Sequence, residues 1–274
     1  MKSRLITTVL PFLAALYFSA LWNGMGSQVS SAIFLFLERL HVFPRPAIAF
    51  LVALLPLIVL FEVVAKLLFM IAIPDRYRHE PTQLETVPSI DSDSLNAYTR
   101  SLEALGFTKL GDYKGIESSS DVSRLFTHAE YHCFAEVSEL IGQLPMNCLI
   151  VSALEQNWRL VTTDRQKSLT SATAYAFFRQ PHVLSVYESG AEPQQLLRSH
   201  LALRQQMMTD LHLQILPDLS AQAFLDLIQR DRTQQKQRLW RKSVLFGLVE
   251  MLLFSLNPKD EWLGEYADLA ARRH

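Results

Sequence analysis

The sequence predicts an α+β protein in which N-terminal transmembrane helices precede an antiparallel β-meander packed with flanking helices. Three observations predict it. Apolar residues crowd into positions 1–73 and again into 243–256. Between those ends, period-two alternation replaces helical spacing. Helical spacing then returns after Pro193 and Pro217. A helix, a run of strands and further helices is the element order of an α+β domain.

The 274-residue chain is 49% apolar and 19% charged, with a net charge of −1. It is more apolar than a typical globular chain. So small a net charge supplies no field for a polyanion, so nucleic acid is not an expected partner. Cys133 and Cys148 are too few for a disulfide framework and fit a reducing compartment.

Residues 1–73 read as a membrane anchor. Segment 5–22 is uncharged and reaches about 27 Å as a helix, close to the ~30 Å hydrocarbon core. It lacks the small-residue cleavage site of a signal peptide. A second span is expected at 47–66, within an apolar run that continues to Ile73. Glu62 and Lys66 are four apart there, so they share a helix face. They are read as an intramembrane or interfacial ion pair, with Lys66 snorkelling to the interface. Between the spans, 29–43 is apolar but carries Glu38 and Arg39, which suits an interfacial helix.

Residues 74–92, rich in proline and mixed charge, read as a linker. The soluble α+β domain is expected over 93–242. Leu95, Tyr98, Leu102 and Leu105 recur at helical spacing, with Gly106 at the C′ position and Asp91, Ser92 or Asp93 as cap. FTKLGDY is a strand candidate. Residues 124–138 read as one half-buried strand. Leu125, Thr127, Ala129, Tyr131, Cys133, Ala135 and Val137 share one face, and Arg124, Phe126, His128, Glu130, His132, Phe134 and Glu136 the other. NCLIVSAL and WRLVTTD follow as a hairpin through Glu155, Gln156 and Asn157, and VLSVYES adds a strand. Pro193 starts one helix, and Pro217–Asp218 precede another that runs into a basic stretch.

That stretch contains Arg230, Arg232, Lys236, Arg238, Trp240, Arg241 and Lys242. An anionic bilayer leaflet attracts such charge at about 1 kcal/mol per residue, so these are the expected membrane-surface contacts. Residues 243–274 then form an interfacial or membrane-returning helix and a tail. The expected placement is multi-pass in the inner membrane with the soluble domain in the cytoplasm.

THAEYHC, 127–133, has the residue types of a metal site. On a strand, His128 and His132 would lie about 13 Å apart at ~3.3 Å per residue. A zincin needs a helix to bring such a pair together. His128, Glu130 and His132 are therefore weak metal candidates. With His200 from the following helix they are the only catalytic candidates. No dinucleotide, P-loop or nucleophile-elbow motif occurs, and no cofactor is expected.

The layout of two spans and one α+β domain resembles that of many bacterial membrane proteins, and no functional motif accompanies it. The sequence therefore favours a membrane-anchored, non-catalytic partner-binding or assembly module. The alternatives are a metal-dependent enzyme at the membrane surface and a small-ligand or lipid sensor. Expected partners are the lipid bilayer, anionic lipid headgroups, and a protein partner or a second copy.

Overall fold

The computed structural model describes residues 45–72, 79–87, 90–115, 121–140 and 144–271, together with Ser31 and Leu35. The chain divides into two compact units, 1–73 with 239–247, and 74–238 with 248–274.

The second unit is built on an eight-stranded sheet whose strands lie in sequence order. They are β1 (His79–Pro81), β2 (Thr108–Gly115), β3 (Asp121–His128), β4 (Cys133–Leu140), β5 (Leu144–Ala153), β6 (Arg159–Thr163), β7 (Val183–Tyr187) and β8 (Glu261–Trp262). All neighbours are antiparallel except β6 and β7, which pair in parallel from Arg159↔Val183 to Thr163↔Tyr187. The expected antiparallel meander is thus corrected to a mixed sheet. Parallel neighbours need a crossover, and residues 164–182 supply it. They contain a short helix and a π-helical turn, Ala174–Phe178, which the sequence reading left unassigned. β1 also lies inside the stretch read as a linker, where it pairs with β2.

The helices are α1 (Arg45–Ala72), α2 (Ser92–Ala104), α3 (Leu169–Thr173), α4 (Pro193–Leu211), α5 (Ala221–Arg241), α6 (Val244–Leu256) and α7 (Tyr266–Ala271). Local chemistry places several ends. The Asp91 side chain accepts from Ser94 N–H and caps α2. Gly106, at φ +93°, lets the chain leave α2. Pro193 opens α4, where its missing N–H costs nothing.

Helices cover both faces of the sheet. On one face Leu95 and Leu102 of α2 and Leu196 and Leu197 of α4 pack on Phe126, Cys133, Ala135, Val137 and Ile150. On the other, Phe224 of α5 meets Leu125, Phe134 and Val151. Phe254 of α6 stacks on Tyr175 with ring centroids 4.9 Å apart and meets Trp262 of β8 edge-on. The central strands are therefore buried on both sides, not half-buried as alternation implies.

Among the described residues, no helix is long and apolar enough to cross a membrane. This overturns the expected N-terminal transmembrane helices, the multi-pass inner-membrane placement and the cytoplasmic sidedness that rested on them. Segment 5–22 lies outside the described residues, as does 29–43 apart from Ser31 and Leu35. The expected span at 47–66 falls within α1, whose residues include both Glu62 and Lys66.

In the first unit this ion pair closes helix ends. Glu62 accepts from Val244 N–H at 2.7 Å and from Leu245 N–H and Ser243 Oγ at 3.3 Å. The two backbone N–H donors are orphan groups of the α6 N-terminus, where a carboxylate also meets the positive end of the helix dipole. Lys66, 3.2 Å from Glu62, donates to Trp240 O at 3.1 Å, among the last carbonyls of α5.

Candidate functional site

THAEYHC is the tip of the β3–β4 hairpin. Residues 129–132 form the turn, and His132 takes a left-handed φ of 47°. His128 pairs with Cys133 across the hairpin, so the turn carries Cys133 onto the same sheet face as His128. The expected single strand, with His128, Glu130 and His132 on one face and Cys133 on the other, is thereby corrected. Alternation ran unbroken through the turn residues, which hid it.

His128 is buried and its ring is fully engaged. Nε2 lies 3.0 Å from Leu105 O, which can only accept, so Nε2 carries the proton. Nδ1 then accepts from Tyr131 N–H at 3.2 Å, and the ring stacks on Tyr131 at 4.3 Å. Glu130 and His132 are exposed at the tip. Among the described residues no group of three or more His, Cys, Asp or Glu side chains could hold a metal.

His200 stands elsewhere, fully buried on α4 against β5 and β6. Ser152 Oγ lies 2.8 Å from its Nε2 and Thr162 Oγ1 3.0 Å from its Nδ1. Arg204, one helical turn on, donates to Ser152 Oγ at 3.0 Å and to Tyr131 O at the hairpin tip. Arginine only donates, so the Ser152 hydroxyl proton is left for His200 Nε2. Burial, reinforced by the Arg204 charge, pushes the His200 imidazole down to about 3. The Ser152–His200 spacing is that of a nucleophile and its base. Yet neither side chain reaches solvent, and the third partner is a hydroxyl in place of a carboxylate. The chemistry here is structural: α4 holds the hairpin tip through Arg204 and the sheet through His200.

Two further polar groups brace the same face. Arg124 forks onto Asp112, Nε to Oδ1 at 2.7 Å and Nη2 to Oδ2 at 2.9 Å. It also reaches Thr99 Oγ1 at 3.1 Å and pairs with Glu85. Asp164, just past β6, accepts from Cys148 N–H at 2.8 Å and from Tyr98 OH at 2.5 Å. Burial raises its carboxyl above the usual range in spite of those donors.

The basic stretch is largely taken up by the fold. Arg230 donates to Asn157 at 3.0 Å, Arg232 to Gln235 at 3.4 Å and Arg238 to Arg179 O at 3.2 Å. Lys236 and Lys242 are also partnered. Trp240 and Arg241 remain exposed.

A cavity of about 610 Å³ opens between the crossover and α5. Leu169, Ala174 and Phe178 supply one wall, and Ile228, Asp231 and Arg232 the other. Of that lining, Asp231 pairs with Arg159, and its carbonyl accepts from Gln180 Nε2 at 3.4 Å. Arg232 stands out in the sequence by its charge, and the other lining residues carry no such mark. The available signal was Ser168 at the N-cap of α3, whose backbone N–H donates to Ser171 Oγ at 3.4 Å.

No protein family, curated protein or solved structure matches the chain.

Proposed function

We propose that this protein is a non-catalytic assembly module whose partner is a second copy of the chain, docked through α6. The observation that supports this reading is a row of exposed apolar side chains. Val249, Leu253 and Leu256 follow one another at spacings of four and three, with Leu252 beside them, and all are exposed. That spacing forms a single stripe and is the repeat of a helix–helix seam. Phe254 points the other way, into the interior with Tyr175 and Trp262, so packing of α6 on the sheet does not consume the stripe. Contiguous apolar surface of this kind marks an interaction site. A self-complementary stripe suits a two-fold pair of identical helices.

Sedimentation velocity of the wild type and of a Val249→Glu/Leu253→Glu double variant tests the reading. The wild type is expected to dimerise as concentration rises, and the variant to remain monomeric with unchanged circular dichroism. A wild type that is monomeric throughout the same range would overturn it.

A further inference from the structure

Only Lys242 and Ser243 separate α5 from α6, and the chain bends at Lys242. The local sequence does not demand a break. Residues 239–246 read LWRKSVLF, without proline or glycine. A sharp break that neither residue explains has another known cause, a side chain inserted into the i→i−4 hydrogen-bond ladder.

The inserted side chains are those of Glu62 and Lys66. In one continuous helix Val244 N–H would donate to Trp240 O, four residues back. Instead Val244 N–H donates to Glu62 Oε1 at 2.7 Å, and Trp240 O accepts from Lys66 Nζ at 3.1 Å. The two halves of that missing bond are thus held by the two members of one ion pair, 3.2 Å apart. The next two rungs are replaced as well. Leu245 N–H donates to Glu62 Oε2 at 3.3 Å and Phe246 N–H to Ser243 Oγ at 3.4 Å, where a continuous helix would offer Arg241 O and Lys242 O. The ladder of α6 then begins with Gly247 N–H on Ser243 O at 3.0 Å. The signs also match the helix dipoles: the ammonium meets the carbonyl end of α5, and the carboxylate the N–H end of α6. All of these groups lie within the first unit.

We infer that Glu62 and Lys66 form a clip that divides one helix into two, and that the junction at 242–243 is a conformational switch. With the clip engaged, 221–241 and 244–256 are separate helices. With the clip released, they join into one. Each backbone group then recovers its helical partner, so both arrangements satisfy the same donors and acceptors and the ion pair decides between them. The switch carries the arm that bears Val249, Leu253 and Leu256. For that consequence the inference rests on the proposed α6 interface, and its test does not.

The test is a pulsed electron–electron resonance distance between nitroxides at Thr233→Cys and Ser255→Cys in the full chain. Both positions are exposed, and the native Cys133 and Cys148 are buried. Dilution with unlabelled chain confines the reading to distances within one molecule, so the result is independent of dimerisation. A continuous helix places the two positions about 33 Å apart at ~1.5 Å per residue, and the bent junction brings them closer. The otherwise wild-type chain is expected to show only the shorter distance. Glu62→Met/Lys66→Met removes both halves of the clip and is expected to add a population near the continuous-helix value. Glu62→Gln keeps an acceptor for Val244 N–H and is expected to keep the shorter distance. Adding Ser243→Pro to the double variant forbids a continuous helix and is expected to restore that distance, which separates joining of the helices from unfolding. A double variant with the wild-type distance, or a lengthening that Ser243→Pro does not reverse, would overturn the inference.

Discussion

Ser152 Oγ lies 2.8 Å from His200 Nε2, and both side chains are wholly enclosed between α4 and the sheet. The pair locks a helix to β5, and it makes the stability of the fold depend on pH. In the native state His200 takes a proton only near pH 3, in place of its ordinary 6.5. Between those values the unfolded chain binds a proton that the native chain does not. Stability is therefore complete above about 6.5 and is lost as pH falls, at roughly 1.4 kcal/mol per pH unit. Urea unfolding at about pH 7 and about pH 5 is expected to show roughly 2 kcal/mol more loss in the wild type than in His200→Gln. Equal pH slopes would show that His200 is not the titrating group.

Arg124 is expected to matter far more than its exposed partner. Burial works to raise the Asp112 carboxyl, but hydrogen bonds from Arg124 and Lys109 outweigh it and hold the group below its usual value. Arg124→Met leaves that carboxylate buried beside only Lys109, at a cost of about 3–5 kcal/mol. Glu85 is 59% exposed on its side chain, and Glu85→Gln is expected to cost no more than about 1 kcal/mol. Thermal melts of the two variants check the contrast. Asp112 also loses its contribution as pH falls through its depressed native value, in the same direction as His200.

Three glycines with positive φ give a graded series. An alanine Cβ at Gly190 meets nothing within 4 Å, so only the backbone is strained, by about 1 kcal/mol. At Gly106 the Cβ comes 3.0 Å from His128 Nε2, a ring already held by Leu105 O and Tyr131 N–H. At Gly264 it falls 2.2 Å from Pro181 O, and backbone must move. Melting temperatures are expected to descend in the order wild type, Gly190→Ala, Gly106→Ala, Gly264→Ala.

Cys133 and Cys148 are expected to be inert in the folded protein. Burial pushes the Cys133 thiol up to about 12 and raises Cys148 well above its ordinary value. Both are enclosed in the core, and the thiolate is the reactive form. A disulfide reagent such as DTNB is expected to release chromophore only after denaturant is added. Rapid release from the native protein would refute the packing of β4 and β5.

What the sequence determined was whatever depends on near neighbours. Asp91 caps α2 through Ser94, three residues away, Gly106 releases the chain after it, and Pro193 opens α4. Each follows from the backbone chemistry of one turn, so periodicity and caps disclosed these elements. The tertiary structure alone decided everything that depends on distant partners. The His–Glu–His stretch looked like one strand because the turn residues at 129–132 keep the alternation going, and only pairing of His128 with Cys133 reveals a hairpin. Alternation promised a wet face, but helices from both ends of the domain cover both sides of β3 and β4. Glu62 and Lys66 read as a pair facing lipid or its interface, and their hydrogen bonds go to Val244 N–H and Trp240 O, far along the chain. Burial and the pairing of charges are set by which segments meet in space, and a one-dimensional pattern carries no record of that meeting.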